Sequence, residues 1–180
     1  MSLRRSSAGN LRLEMWFMIE IWDAYDRHFN KLENVKIVRG EKIPDGMYHL
    51  VCEIIVKHND GTYLLMQRDF GKHYGGMWEL TASGSALVGE TSIECAIREL
   101  REETGIVAFD LQEIKRVVHE ERHSIYIEYL CITNCDKNSV ILQSGETINY
   151  KWVDKKTILE VEANTLASVR TLTIIQQTDI

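Results

Sequence analysis

Between Thr91 and Gly105 the chain reads TSIECAIRELREETG, and no other segment constrains the fold as strongly. Thr91 and Glu94 have the spacing of a capping box, and Gly105 stands where a helix-ending glycine belongs. Ile93, Ala96, Ile97 and Leu100 recur at i, i+3, i+4 and i+7, which defines one buried stripe. The spacing therefore predicts a helix over 91–104 that packs by one face. Glu99, Glu102 and Glu103 fall on a narrow face beside that stripe, while Glu94 with Arg98 and Arg98 with Glu102 have the spacing of favourable pairs. Like charges at this spacing repel by about 0.2–0.5 kcal/mol per pair. Two explanations fit them: a solvated acidic face, or a site for a hard divalent cation, which takes oxygen ligands from several carboxylates.

The flanking sequence supplies a sheet for that helix. "YHLVCEIIVK" reads as a strand, "NDG" as a tight turn and "TYLLMQR" as the partner strand. A loop from Asp69 to Gly76 leads into "MWELTASGS". "KRVVHEERHSIYIEYLCIT" reads as two strands, "NYKWVD" as another, and the chain from Lys155 as one or two helices. Interleaved strands and helices indicate an α/β or α+β layered domain. Pro44, the single proline, marks a turn ahead of which "IEIWDAYD" and "VKIVRG" read as extended and fit a hairpin. The expected organisation is a flexible tail over 1–15 and one domain over 16–180 with an N-terminal hairpin extension.

A chain of 180 residues suits one domain with a real core. A formal net charge of −6 argues against general affinity for nucleic acid backbones or anionic membranes, but not against a small anion held through a metal ion. No stretch approaches the ~20 apolar residues of a spanning helix, and Met15–Trp22, broken by Glu20, is too short for a secretory signal. Cys131 and Cys135 fall in an apparent strand, where four residues span roughly 13 Å, too far for a disulfide. With Cys52 and Cys95 they read as buried thiols of a reduced, cytoplasmic protein.

Upstream of the helix, the pattern Gly84, five residues, Glu90, seven residues, then Arg98-Glu99-Leu100-Arg101-Glu102-Glu103-Thr104-Gly105-Ile106 resembles the Nudix box at every defining position. The resemblance implies an α/β/α sandwich with a mixed sheet, in which the box forms a loop–helix–loop. It also implies hydrolysis of a small organic diphosphate, assisted by Mg²⁺ or Mn²⁺, in a monomer or homodimer. By position, Glu99, Glu102 and Glu103 match the metal-binding glutamates, Arg98 the carboxylate-orienting arginine, and Gly84 the backbone carbonyl near the metal. Glu90 would fasten the loop to the helix. The chemistry suits these residue types: a cation neutralises the phosphates and acidifies water, and a carboxylate takes the proton. Glu103 is one candidate base. Glu146, in a loop outside the box, is the other preferred one, ahead of Glu120, Glu121 and Glu128. Ser83 stands where the family commonly has a second glycine.

"YHLVCEIIV…LLMQRD…GMWELTASGSALVGE" is also similar to the isopentenyl-diphosphate isomerase branch of the superfamily. His49 matches one of that enzyme's metal histidines. Its catalytic cysteine and a further metal histidine, however, are replaced here by Ser83 and Ser85, and the glutamate set is complete, which favours hydrolysis. The complete set also argues against a non-catalytic binding module. "HEERH" at His119–His123 matches a zinc-peptidase pattern that works only on a helix, and its β-rich flanks predict a hairpin turn instead. Arg68, Lys72 and His73, in or beside the loop before the box, are placed to meet phosphates, and Tyr74 and Trp78 to stack on a base.

Overall fold

The structure, a computed structural model, describes residues 20–168 and 170–177. The expected tail over 1–15 lies outside the described residues. Ile21–Tyr25 (β1) and Lys31–Val38 (β2) pair antiparallel as the expected hairpin.

His49–His58 (β3) is the central strand, and it is buried at Leu50 and from Cys52 to Val56, where both of its faces are covered. It pairs in parallel with Ser124–Thr133 (β8), in register from His49 opposite Ser124 to His58 opposite Thr133. Its hairpin partner Thr62–Arg68 (β4) stays beside it only near Lys57 and Tyr63, after which the two strands diverge. The gap is filled by Trp78–Glu79 (β5), paired with β4, and Thr81–Ser85 (β6), paired with β3. Gln112–His119 (β7) extends the sheet beyond β8, and Thr147–Asp154 (β9) extends it beyond β4. One parallel pair among antiparallel ones makes the sheet mixed.

Period-two alternation sorts the strand residues onto two faces. Leu50, Cys52, Ile54 and Val56 of β3 pack with Leu100, Ala96 and Cys95 of the helix Ser92–Thr104 (α1). Ile55, Leu65 and Leu130 face the other way, toward Lys155–Glu160 (α2) and Arg170–Gln177 (α3), whose Ile158, Leu172 and Ile175 complete a second apolar cluster. The result is an α/β/α sandwich.

Helix α1 carries the expected caps: Glu94 accepts from the Thr91 amide at 2.8 Å, Thr91 Oγ1 accepts from the Glu94 amide at 3.3 Å, and Gly105 takes φ 73°. Its buried face is rotated from the expected stripe: Cys95, Ala96, Leu100 and Thr104 are buried, while Ile93 and Ile97 are only partly so, because the sheet onto which the helix docks sets which side is covered. Glu94 is engaged by the cap and does not pair with Arg98. Cys135 lies beyond the end of β8, half-buried, and all four cysteines are free. His119 ends β7 and His123 follows a single 3-10 turn, so "HEERH" is a hairpin connection and not a helix.

Candidate active site

Strand β6 runs beside α1, and a cleft of about 370 Å³ opens between them. Glu99, Glu102, Glu103 and Arg98 line it from the helix, and Ser83, Gly84 and Ser85 from the strand. Lys72 and Glu146 reach it from two loops, and Glu20, Trp22 and Arg39 from the N-terminal hairpin segment. The expected metal and base residues are thus gathered into one place.

Arg98 organises the carboxylates. It donates to Glu90 from Nε (2.6 Å) and Nη2 (2.8 Å), to Glu99 Oε1 from Nη1 (2.6 Å), and to the Ser85 carbonyl (3.1 Å), with Glu102 3.3 Å away. Glu90 also accepts from the Leu87 amide, so the loop before the helix is fastened as expected. Glu99 packs on Gly84 so closely that no β-carbon would fit between them. The Gly84 carbonyl accepts a weak contact from Cys95 Sγ at 3.6 Å.

Glu103 is 4% exposed, and its Oε2 accepts from the Ser83 amide at 3.3 Å. Burial, followed by the nearby charges of Glu79 and Glu99, pushes its carboxyl up to about 8. Burial also raises Glu99, against the opposing pull of Arg98. Among the described residues no group of three or more His, Cys, Asp and Glu side chains is drawn together tightly enough to enclose a cation. Arg98 bridges Glu90, Glu99 and Glu102 instead. The lining is nonetheless rich in carboxylate oxygen and free of thiols, which suits a hard divalent ion that keeps several waters.

Lys72 forms an ion pair with Glu146, and the Asp69 amide donates to the Glu146 carbonyl at 2.9 Å, so the two loops hold one another across the cleft. Burial, then Arg68, lowers the Lys72 pKa. His49 stacks on Trp22 at 4.3 Å and is hydrogen-bonded to Ser124 (2.8 Å) and Ser85 (3.2 Å); burial, then Arg39, pushes it down to about 4. It is therefore a neutral imidazole at the cleft wall.

The other expected residues lie elsewhere. Arg68, His73 and Tyr74 line a second cavity of about 530 Å³, which shares the lining residue Ser83 with the cleft. Arg68 is held there by Glu79 (2.6 Å) and the His73 carbonyl (2.9 Å). The expectation that Trp78 stacks on a base does not fit its placement. Alternation turns Trp78 to the apolar cluster with Leu80, under Lys151, while Glu79 faces the cavity. Glu120 bonds Tyr48 and Arg27, and Glu128 is buried beneath Arg170; neither lines the cleft, and Glu121 is exposed. Glu20, Trp22 and Arg39 were not legible from the sequence, since nothing local tells where a hairpin docks.

Fold and cleft together define a Nudix-type domain, with the box loop and helix set against a mixed sheet. The model of the NUDIX domain matches residues 47–171, and the chain belongs to this family. It is 30% identical over 142 residues to an uncharacterised Nudix hydrolase of Listeria innocua, covering 78% of this chain and 83% of that protein. An isopentenyl-diphosphate Delta-isomerase of Photobacterium profundum is 31% identical over 121 residues, covering 62% of this chain and 67% of that protein. Among solved structures, DR0079 of Deinococcus radiodurans matches with a TM-score of 0.71 at 15% identity, over 89% of this chain and all of that one (100%), a likeness of fold. Among the described residues no helix is long and apolar enough to cross a membrane.

Proposed function

We propose that the protein hydrolyses a phosphoanhydride bond in an organic diphosphate with the help of Mg²⁺ or Mn²⁺. The observation that carries this reading is the convergence of Glu99, Glu102, Glu103, Gly84 and Glu146 on one cleft. Glu99, Glu102 and Glu103 would hold the cation, with the Gly84 carbonyl beside them. When bound, the cation neutralises phosphate charge and makes a water easier to deprotonate.

The chain's own residues do the rest. Arg98 fixes the rotamers of Glu99 and Glu102, and the Ser83 amide fixes that of Glu103. Glu103 or Glu146 accepts the proton of the attacking water. Lys72, now paired with Glu146, is within the same cleft to meet phosphate oxygen.

The test is metal-dependent cleavage, followed as release of phosphate, pyrophosphate or paired phosphomonoester products, of a panel of nucleoside di- and triphosphates, dinucleotide polyphosphates, nucleotide sugars and prenyl diphosphates. Release that needs Mg²⁺ and falls by about 10²–10⁴ in Glu102→Gln or Glu103→Gln supports hydrolysis. Interconversion of isopentenyl and dimethylallyl diphosphates without phosphate release would instead establish isomerisation. That second reading is favoured by the isomerase relative and by His49 at the cleft wall, and opposed by Ser83 and Ser85.

A further inference from the structure

Both ring nitrogens of His49 have partners, and those partners set the direction of each proton. His49 stands opposite Ser124 of β8 in register, and Ser85 of β6 stands opposite Val51, two residues further along the same face of β3. The imidazole therefore reaches a serine on each neighbouring strand. Its Nε2 lies 2.8 Å from Ser124 Oγ and its Nδ1 3.2 Å from Ser85 Oγ. Trp22, from the hairpin, lies on the ring at 4.3 Å with 18° between the planes and fixes its rotation.

Ser124 Oγ is also 3.0 Å from the Arg122 carbonyl, which can only accept. A hydroxyl carries a single proton, and buried Ser124 places its proton on that carbonyl. His49 then donates from Nε2 to Ser124, and because burial keeps the ring neutral, Nδ1 holds a lone pair. That lone pair takes the proton of Ser85. The opposite direction would set the lone pairs of Ser124 against those of the carbonyl. Donation thus runs from Ser85 to His49, to Ser124 and to the Arg122 carbonyl. Ser85 Oγ, on a residue that lines the carboxylate cleft beside Gly84, is left with lone pairs alone.

We propose that Ser85 Oγ is an acceptor that orients a water in the cleft, and that His49 is the positioning residue that makes it one, not an ion ligand. A hydroxyl that donated to the water would occupy the lone pair needed for attack on phosphorus. One that accepts holds the water by an O–H and leaves that lone pair free. Neither nitrogen of His49 is open to a cation, so the position that matches a metal histidine in the isomerase branch has a different task here. The proposal deepens the hydrolase reading and rests on it for the use of the water, and on the hydrogen bonds alone for the state of the ring.

The first measurement reads the ring directly, by nuclear magnetic resonance on protein with isotope-labelled histidine at neutral pH. The expected result is a proton on Nε2 and none on Nδ1, unchanged when Zn²⁺ is added. Zn²⁺ is the stringent probe because it seeks imidazole. A proton on Nδ1, or a coordination shift at either His49 nitrogen with Zn²⁺, overturns the proposal. The second measurement is turnover. Ser124 does not line the cleft, yet Ser124→Ala is expected to lower kcat about tenfold with KM unchanged. Ser124→Thr, which keeps the hydroxyl, is expected to restore it. In a Ser85→Ala background, Ser124→Ala should have no further effect, since the relay ends on that hydroxyl. Equal losses in both backgrounds, or a change in KM alone, overturn the relay. If Ser124→Ala does not fold, the ring protons of the natural protein decide alone. Absence of turnover on every diphosphate counts against the hydrolase reading and leaves the ring result standing.

Discussion

The carboxylate of Glu99 rests directly on Gly84, in space that a β-carbon would fill. The two residues lie on different elements, and only a glycine on β6 lets the helix lay that carboxylate at the strand. Gly84→Ala is therefore expected to displace Glu99 and cut Mn²⁺ affinity by about 10–100-fold, read by calorimetry. An unchanged affinity would show that Glu99 does not hold the ion from this position.

The Glu103 carboxyl, raised to about 8 from 4.5 by burial and by Glu79 and Glu99, fixes a sign. The folded protein keeps this proton where the unfolded chain has lost it, so stability falls as pH rises from about 4.5 to about 8 and is flat above. A cation held by Glu103, as proposed, would displace the proton. Mg²⁺ affinity should therefore climb with pH up to about 8, with proton release seen as a dependence of the binding heat on the buffer. Glu103→Gln should remove the proton release.

Arg98 is only 21% exposed and bonds Glu90 and Glu99 together. Arg98→Ala leaves these acids unpaired and should destabilise the metal-free protein by about 2 kcal/mol in urea denaturation. Arg98→Lys should recover little, because an ammonium cannot reproduce the two-pronged contact with Glu90. Saturating Mg²⁺ should narrow the gap, since it supplies the missing positive charge.

Asp23 fastens the hairpin to the box loop. It is 2% exposed, pairs with Lys31 and Lys36, and accepts from the Gly89 amide at 2.8 Å. Burial alone would raise its carboxyl, but these partners together bring it down to about 2. Its contribution is therefore present above the ordinary value of 3.8 and lost as pH falls through about 2. Both lysines are exposed, so Asp23→Asn should cost about 1 kcal/mol. Faster hydrogen exchange at the Gly89 amide would report the loosened hairpin, and an unchanged rate would argue that the tie is incidental.

Much of the fold was written locally. The helix was legible from its caps and apolar spacing, the strands from alternation and turn residues, and the β7–β8 connection from flanks that no helix would carry. The carboxylate cluster was legible for the same reason: Glu99, Glu102 and Glu103 are neighbours on a helix whatever surrounds it. The second cavity was not, because Glu53, Glu128 and Arg170 meet only through strand register and the docking of α3. Trp78 and Tyr74 show the limit in miniature. Two aromatics near one loop looked alike in sequence, and the pleat of β5 sent Trp78 to the core while Tyr74 stayed at the cavity.

By itself, then, the sequence determined the box helix and its acidic face, since periods of 3.6 and 2 act over neighbouring residues. Only the tertiary structure decided that Lys72 meets Glu146, that the hairpin brings Arg39 to the cleft, and that a charged cavity opens beyond Ser83. Those contacts join residues far apart in the chain. They are fixed by which strands pair and which faces the helices cover, and no local pattern encodes that choice.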